Sequence, residues 1–327
     1  MKRMGVLLVM LGLAVSAARA QTAVTTTGGT PGHLARFTGS STIRNSVILE
    51  SNGQIGSGTP GPDRTLSVVN LSNSVAANYA LQSSVGLLLY DSFDERFLNP
   101  TKWAPYGACF TFSALECVRE IQDDRLRLAV RNYGQTNSNQ GVQYGPTELH
   151  FTNPTPIRSI ATELVVRRTS SLGCPANTTL LPNSHAHTLL QGNFFNSGSG
   201  NSADDVQALL TFDHGSSDPQ GVLTVTAFMN WQGQFFGFVD LGTVSVGQKV
   251  VAQLSWDQPH TQFVAAWTDA VTGKVTQVFL PYTMPDTAPP VAPDKLIGVR
   301  AFTPNCVGTQ MLVTDMETSF DRVWIGN

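Results

Sequence analysis

The chain predicts an all-β fold: a two-sheet antiparallel jelly-roll sandwich preceded by a short β-stalk or flexible leader. Three observations carry this. From Tyr90 onward, short apolar runs alternate with Gly-, Asn-, Asp- and Pro-rich punctuation, and no stretch shows helical periodicity. The tripeptide Ser-Phe-Asp stands at both ends of that region, in YDSFDERFLNPTKW (Tyr90 to Trp103) and in SFDRVWIGN (Ser319 to Asn327), so the first and last segments both read as strands and are readily paired. Residues 90–327 are also numerous enough to build one core without the leader.

In chain order, residues 1–20 read as a secretion signal. Lys2 and Arg3 precede an apolar core from Val6 to Val15, and Ala18-Arg19-Ala20 forms a small-x-small cleavage site before Gln21. That core, about ten residues, is too short to cross a bilayer as a helix, and no later run is long enough. The expectation is a bacterial protein, secreted and extracellular or at the cell surface, with the periplasm as the alternative, and without membrane insertion. The signal holds three basic residues and no acid, so its removal takes the formal charge from −3 to −6. A mildly acidic surface without basic runs excludes nucleic acid and anionic lipid as main partners.

The four cysteines, Cys109, Cys117, Cys174 and Cys306, suit two disulfides in an exported chain. Three pairings are open. Cys109–Cys117, closing a short loop, and Cys174–Cys306, tying distant segments, are the favoured pair. No Cys-x-x-Cys or close Cys/His pair supports a metal site instead.

Residues 21–62 form a leader rich in Gly, Thr and Ser, with short apolar pieces between glycine turns. Phe37-Thr38, Ile43, Asn45-Ser46, Ile48, Gly53, Ile55-Gly56, Gly58-Thr59 and Pro62 resemble the short β repeats of bacterial surface fibres and tail-fibre-like stalks. Ser57 stands where that pattern usually has an apolar residue. The resemblance implies self-association of the leader, as a trimer; a disordered leader is the alternative. Residues 63–89 are a transition, with strand candidates at Leu66–Val69 and Val85–Leu89 and a helical turn or two at Ala76–Leu81. Strands are then expected at Arg125–Arg131, Ile160–Arg167, His187–Phe195, Val206–Phe212, Val222–Trp231, Phe235–Leu241, Val250–Trp256, Phe263–Thr268, Val275–Leu280, Lys295–Phe302, Gln310–Thr314 and Phe320–Ile325.

With the strands placed, residues 90–327 resemble the concanavalin A-like lectin/glucanase (laminin G-like) superfamily. The carriers are Phe93-Asp94 with Leu98-Asn99-Pro100-Thr101-Lys102-Trp103, Asp124 to Leu128, Gly192 to Asn196, Val246-Gly247-Gln248 leading into Leu254 to Asp257, and Phe320 to Trp324. They mark architecture and none carries chemistry. The resemblance implies a lectin-like jelly roll; the superfamily holds sugar-binding lectins, laminin-type modules and β-glucanases, and fold does not choose among them.

Candidate chemistry is sparse. The glucanases carry two carboxylates on one strand in a Glu-x-Asp-x-(x)-Glu pattern, which this chain lacks. The nearest substitute is Asp315, Glu317 and Asp321, which share one strand face by their spacing, with Met316, Phe320 and Trp324 on the other; an ordinary half-buried strand is the plainer reading. Glu148 and Glu163 are solitary. His185-Ala186-His187 places two imidazoles on one strand face, a metal geometry needing a third ligand such as His214 or Asp213; solvated histidines are the plainer reading. The loop from Asn196 to Asp205, with Asp204 and Asp205, is the candidate calcium site; a Gly/Ser turn without an ion is the plainer reading, so no cofactor is expected, with calcium as the alternative. Trp231, between Asn230 and Gln232 and near Phe235, Phe236 and Phe238, is the candidate sugar platform.

The function read from all this is an exported, non-catalytic binder of polysaccharide or cell-surface glycan. The alternatives are a glycoside hydrolase on β-glucan-like polymer, using a displaced carboxylate pair that includes Glu317, and a structural part of a surface fibre.

Overall fold

The computed structural model describes the backbone of 25–26, 33–37, 42–51 and 54–57, and residues 86–104, 115–136, 141–174, 184–308 and 311–327 in full. The expected signal segment, the strand at Leu66–Val69, the turn at Ala76–Leu81 and Cys109 lie outside the described residues. The chain divides into two compact units, Met1–Val68 and Val69–Asn327.

The first unit holds four strands: β1 (Thr25–Thr26), β2 (His33–Phe37), β3 (Thr42–Ser51) and β4 (Gln54–Ser57). β3 pairs antiparallel with β2 and β4 and parallel with β1. The short strands expected between glycine turns are therefore present.

The second unit is the predicted sandwich. Its strands are β5 (Leu88–Asp91), β6 (Leu115–Gln122), β7 (Arg125–Tyr133), β8 (Val142–His150), β9 (Ser159–Ser170), β10 (His185–Asn196), β11 (Asp205–Gly215), β12 (Val222–Trp231), β13 (Gln234–Ser245), β14 (Lys249–Asp257), β15 (Gln262–Asp269), β16 (Val275–Pro281), β17 (Lys295–Pro304) and β18 (Val313–Gly326). One sheet has the order β13-β12-β11-β10-β17-β8; the other runs β16-β15-β14-β9-β18-β7-β6, with β5 pairing β18. Every pairing in both is antiparallel. Among the described residues the only helical pieces are two three-residue 3₁₀ turns, and no helix is long and apolar enough to cross a membrane.

The two terminal segments meet as expected: Asp91 pairs Val323, and Leu88 pairs Ile325. The two strands expected at Gln310–Thr314 and Phe320–Ile325 are one strand, β18, whose bulge near Phe320–Val323 keeps both Phe320 and Val323 in the core despite their odd spacing. Period-2 burial then builds the core. Leu126, Leu128 and Val130 of β7, Ile160 and Leu164 of β9, and Met316 and Phe320 of β18 face Leu190, Leu210, Phe212, Val225, Ile297 and Val299 of the six-stranded sheet.

The opening motif closes one end. The buried Asp91 carboxylate accepts the Trp103 indole N–H and the Phe93 backbone N–H (3.2 Å) and faces the Lys102 ammonium (3.4 Å). Phe93, held at φ 55°, stacks on Trp103, which packs on Phe151 at 4.7 Å. Cys174 is bonded to Cys306, as expected, tying residues just past β9 to those just past β17. Cys117 is also disulfide-bonded.

Candidate functional site

Register alone gathers a polar face. Antiparallel pairing places His150 opposite Leu296, Glu148 opposite Gly298, Pro146 opposite Arg300 and Tyr144 opposite Phe302. The next strand sets Gln191, Leu189, His187 and His185 beside Leu296, Gly298, Arg300 and Phe302. β11 then brings Leu209, Thr211 and Asp213 beside Gln191, Leu189 and His187. Because Ile297, Val299, Leu190 and Leu210 fill the core, these partners point away from it, onto the outer face of the six-stranded sheet.

One corner is an ion network. Arg300 Nε donates to Glu148 Oε1, and the His150 imidazole lies 3.2 Å from Glu148 Oε2 and 2.7 Å from Asp294 Oδ1. Glu148 and His150 are both buried. Burial disfavours ionised Glu148, but His150 and Arg300 outweigh it and hold the carboxyl below its ordinary value. Burial likewise opposes the imidazolium, yet Asp294 and Glu148 push the His150 pKa up to about 9. Burial first, then Glu148 acting against Arg300, pushes the Tyr144 phenol up to about 12. Gly298 makes room: a Cβ there would lie 2.8 Å from Glu148 Cγ. The Glu148 carboxylate is thus paired on both oxygens, to Arg300 and to His150.

Next to it are polar atoms with no partner. His187 Nδ1 lies 3.2 Å from Asp213 Oδ2, and burial lowers the His187 pKa. His187 Nε2, Gln191 Oε1 and Asn230 Oδ1 are all buried and unpartnered. Leaving such groups unmade costs about 1–3 kcal/mol each. Asn230 opposes Gln207, whose amide donates to Asn193 Oδ1 at 2.9 Å.

Apolar surface completes the face. Leu189, Leu209 and Leu296 form a small cluster apart from the main core, with Phe228 against it. Phe228 stacks on Phe238 at 4.8 Å and meets Phe235 edge-on at 5.6 Å; Phe235 and Phe238 are 57% and 61% exposed. At the opposite edge Tyr144 and His185 pack on Phe302.

The residues singled out from sequence fall into place as follows. Trp231 is half buried against the main core, and its indole N–H reaches Ser197 Oγ at 3.2 Å; the exposed rings of that cluster are Phe235 and Phe238. Alternation explains this: Trp231 and Asn230 leave the strand on opposite sides. Gln232 sits at the turn with φ 54° and donates to Asp204 at 2.6 Å.

Asn196 and Asp205 come together, whereas the Asp204 carboxylate accepts from Gln232. Asp205 is buried and accepts the amides of Val291, Ala292 and Asn196, each at 2.8 Å, while Asn196 Oδ1 accepts from Gly198 and Gly200. These oxygens hold the loop to the 288–292 segment. His214 turns away from His187, its Nδ1 2.9 Å from the Val222 carbonyl.

Asp315, Glu317 and Asp321 line one face of β18, as spaced, on the outer side of the eight-stranded sheet. Each meets a cation there: Glu317 Arg127 at 2.9 Å, Asp315 Arg168 at 2.9 Å, and Asp321 Arg125 and Lys249 at 3.7 and 3.8 Å. Lys249 also reaches Glu163 at 2.5 Å. Asp321 borders a cavity of about 210 Å³ with Glu163, Arg167 and Lys249, and burial, then the Glu163 charge, raises its pKa.

Sequence reading passed over Arg300, His150, Asp294 and Gln191 and set Glu148 aside as solitary. The available signal was Glu148-Leu149-His150, two titratable groups on one face of an apolar strand.

No family model and no curated protein matches the chain. Among solved structures, κ-carrageenase from Pseudoalteromonas carrageenovora, complexed with an oligotetrasaccharide of κ-carrageenan, is similar at 10% identity, over 79% of this chain and 100% of that one, with TM-score 0.36. Lectin II from Ulex europaeus is similar at 11% identity, over 67% and 98%, with TM-score 0.30. Scytalido-glutamic peptidase is similar at 13% identity and TM-score 0.29; this chain covers 64% of its length and is itself covered over 49%. Likeness at this level says nothing of what this chain binds or does, and the jelly-roll architecture rests on the strand order itself.

Proposed function

We propose that this is an exported, non-catalytic glycan-binding jelly roll whose site is the outer face of the six-stranded sheet. The observation that carries it is the joining, on one face, of the exposed rings of Phe235 and Phe238, both packed on Phe228, with the buried, unpartnered acceptors of Asn230, Gln191 and His187. Sugars present both apolar C–H faces and hydroxyl donors, and this face offers a partner to each. Six strands at about 4.8 Å spacing make it roughly 24 Å across, which suits a segment of polymer better than a single sugar. The signal at residues 1–20 and the Cys174–Cys306 bond support export.

The test is affinity gel electrophoresis against a panel of neutral and acidic polysaccharides, with Phe235→Ala/Phe238→Ala beside the native protein. Both rings are exposed, so the variant folds. Retardation by at least one polymer, weakened about tenfold or more in the variant, is expected, since stacked rings are worth on the order of 1 kcal/mol or more each. Equal migration of the two proteins in every gel removes this reading.

A further inference from the structure

We infer that His185, His187 and Asp213 form a three-ligand site for a divalent first-row transition ion, with zinc the best match. The site shares His187 with the proposed glycan face, but the inference does not rest on glycan binding. His185 and His187 are two apart on β10, so both leave it on the outer face, and Asp213 is the cross-strand partner of His187 on β11. One ligand atom from each lies within 4.8 Å of the others. Tetrahedral zinc, with bonds near 2.0–2.1 Å, sets its ligands about 3.4 Å apart. Side-chain rotations within one strand pair close that gap.

Two further observations point to a ligand. His187 Nε2 is buried and unpartnered, an acceptor held in place with nothing to accept, and metal coordination satisfies it. The Asp213 carboxylate already stands beside that ring, its Oδ2 3.2 Å from His187 Nδ1. Asp213 supplies the third ligand atom, an oxygen, and this role needs the carboxylate. The neighbouring cation, Arg300, pairs with His187 from the adjacent strand β17, but Glu148 takes up its charge. Stacking on Phe302 at 4.4 Å places the His185 ring beside His187. Two imidazoles and one carboxylate leave a position for water or a sugar hydroxyl, as in sites that keep an exchangeable ligand.

The experiment is titration of untagged, chelator-treated protein with zinc chloride by calorimetry, and with cobalt chloride by visible absorption. One ion per chain and the intense d–d band of four-coordinate cobalt are expected. His185→Gln alters a half-exposed side chain and Asp213→Asn keeps the shape; each should weaken zinc by about tenfold or more. His187→Gln should abolish binding. His260→Gln, which alters the exposed His260–Asp257 pair away from the site, should change nothing. Circular dichroism confirms that each variant is folded. Absence of saturable one-to-one uptake overturns the proposal, as does native affinity in both His185→Gln and Asp213→Asn.

Discussion

His150 gives the most quantitative test of the polar face. Its imidazole bridges Glu148 and Asp294, and its pKa rises from 6.5 to about 9 on folding. Between those values the folded chain holds a proton that the unfolded chain releases, so stability falls as pH rises across the window. The contribution is fully present below about pH 6.5 and is gone above about pH 9. At about 1.4 kcal/mol per unit of pKa, the whole linkage is on the order of 3 kcal/mol. Lys295 works the other way. It is buried, its ammonium donates to the Pro154 and Asn193 carbonyls, and burial pulls its pKa from 10.5 to about 8. Its desolvation cost is relieved as pH climbs through about 8, so stability rises there. The native curve therefore mixes two opposing slopes. His150→Gln separates them: it keeps an N–H donor for Glu148 or Asp294, removes the titration, and leaves in place the burial that dominates the Lys295 shift. Urea denaturation of both proteins at about pH 6 and about pH 9.5 is the assay. The native protein should be more stable than the variant by about 3 kcal/mol more at the lower pH than at the higher. A stability difference that stays constant across the two pH values would refute the claim that His150 is held as an imidazolium.

Other outcomes follow from the same geometry. Arg300→Leu leaves Glu148 buried without its guanidinium partner and should cost about 3–5 kcal/mol in denaturant unfolding; a cost under about 1 kcal/mol would mean that His150, Tyr144 or solvent suffices for the carboxylate. Gly298→Ala drives a Cβ into Glu148 and should cost about 1–3 kcal/mol, seen as a lower Tm; an unchanged Tm would show that β8 yields easily. The double change Cys174→Ser/Cys306→Ser opens a closure spanning 132 residues, worth about 5 kcal/mol in the chain-entropy picture, and should shift the denaturant midpoint strongly. Light scattering of the mature protein with and without residues 21–85 tests self-association of the leader: a trimer that becomes monomeric is expected, and a monomer in both cases removes the stalk idea.

Legibility in this sequence divides along the range of the interactions concerned. Alternation is local, so the strands from Val222 to Pro281 could be placed to within a few residues, and the turns between them announced themselves through Gly, Asp and Pro. The meeting of the two ends rested on a repeated tripeptide; the structure shows that Phe320 serves the core while Asp91, one residue before the first copy, anchors Trp103. β18 read as two strands because its bulge breaks the alternation that the eye follows.

The site was less legible for a different reason. Glu148, His187, Asp213, Asn230 and Arg300 are scattered along the chain, and only register makes them neighbours. A one-residue slip of any of these strands would send its share of the face into the core. Charge alone could not identify the functional face either. Glu317 and Asp315, conspicuous in sequence, are answered by Arg127 and Arg168, whereas the inconspicuous His187, Gln191 and Asn230 keep unsatisfied atoms. Since burying an unpaired polar atom costs free energy that a purely structural face has no reason to spend, the unanswered groups are the better guide to where this molecule meets something else.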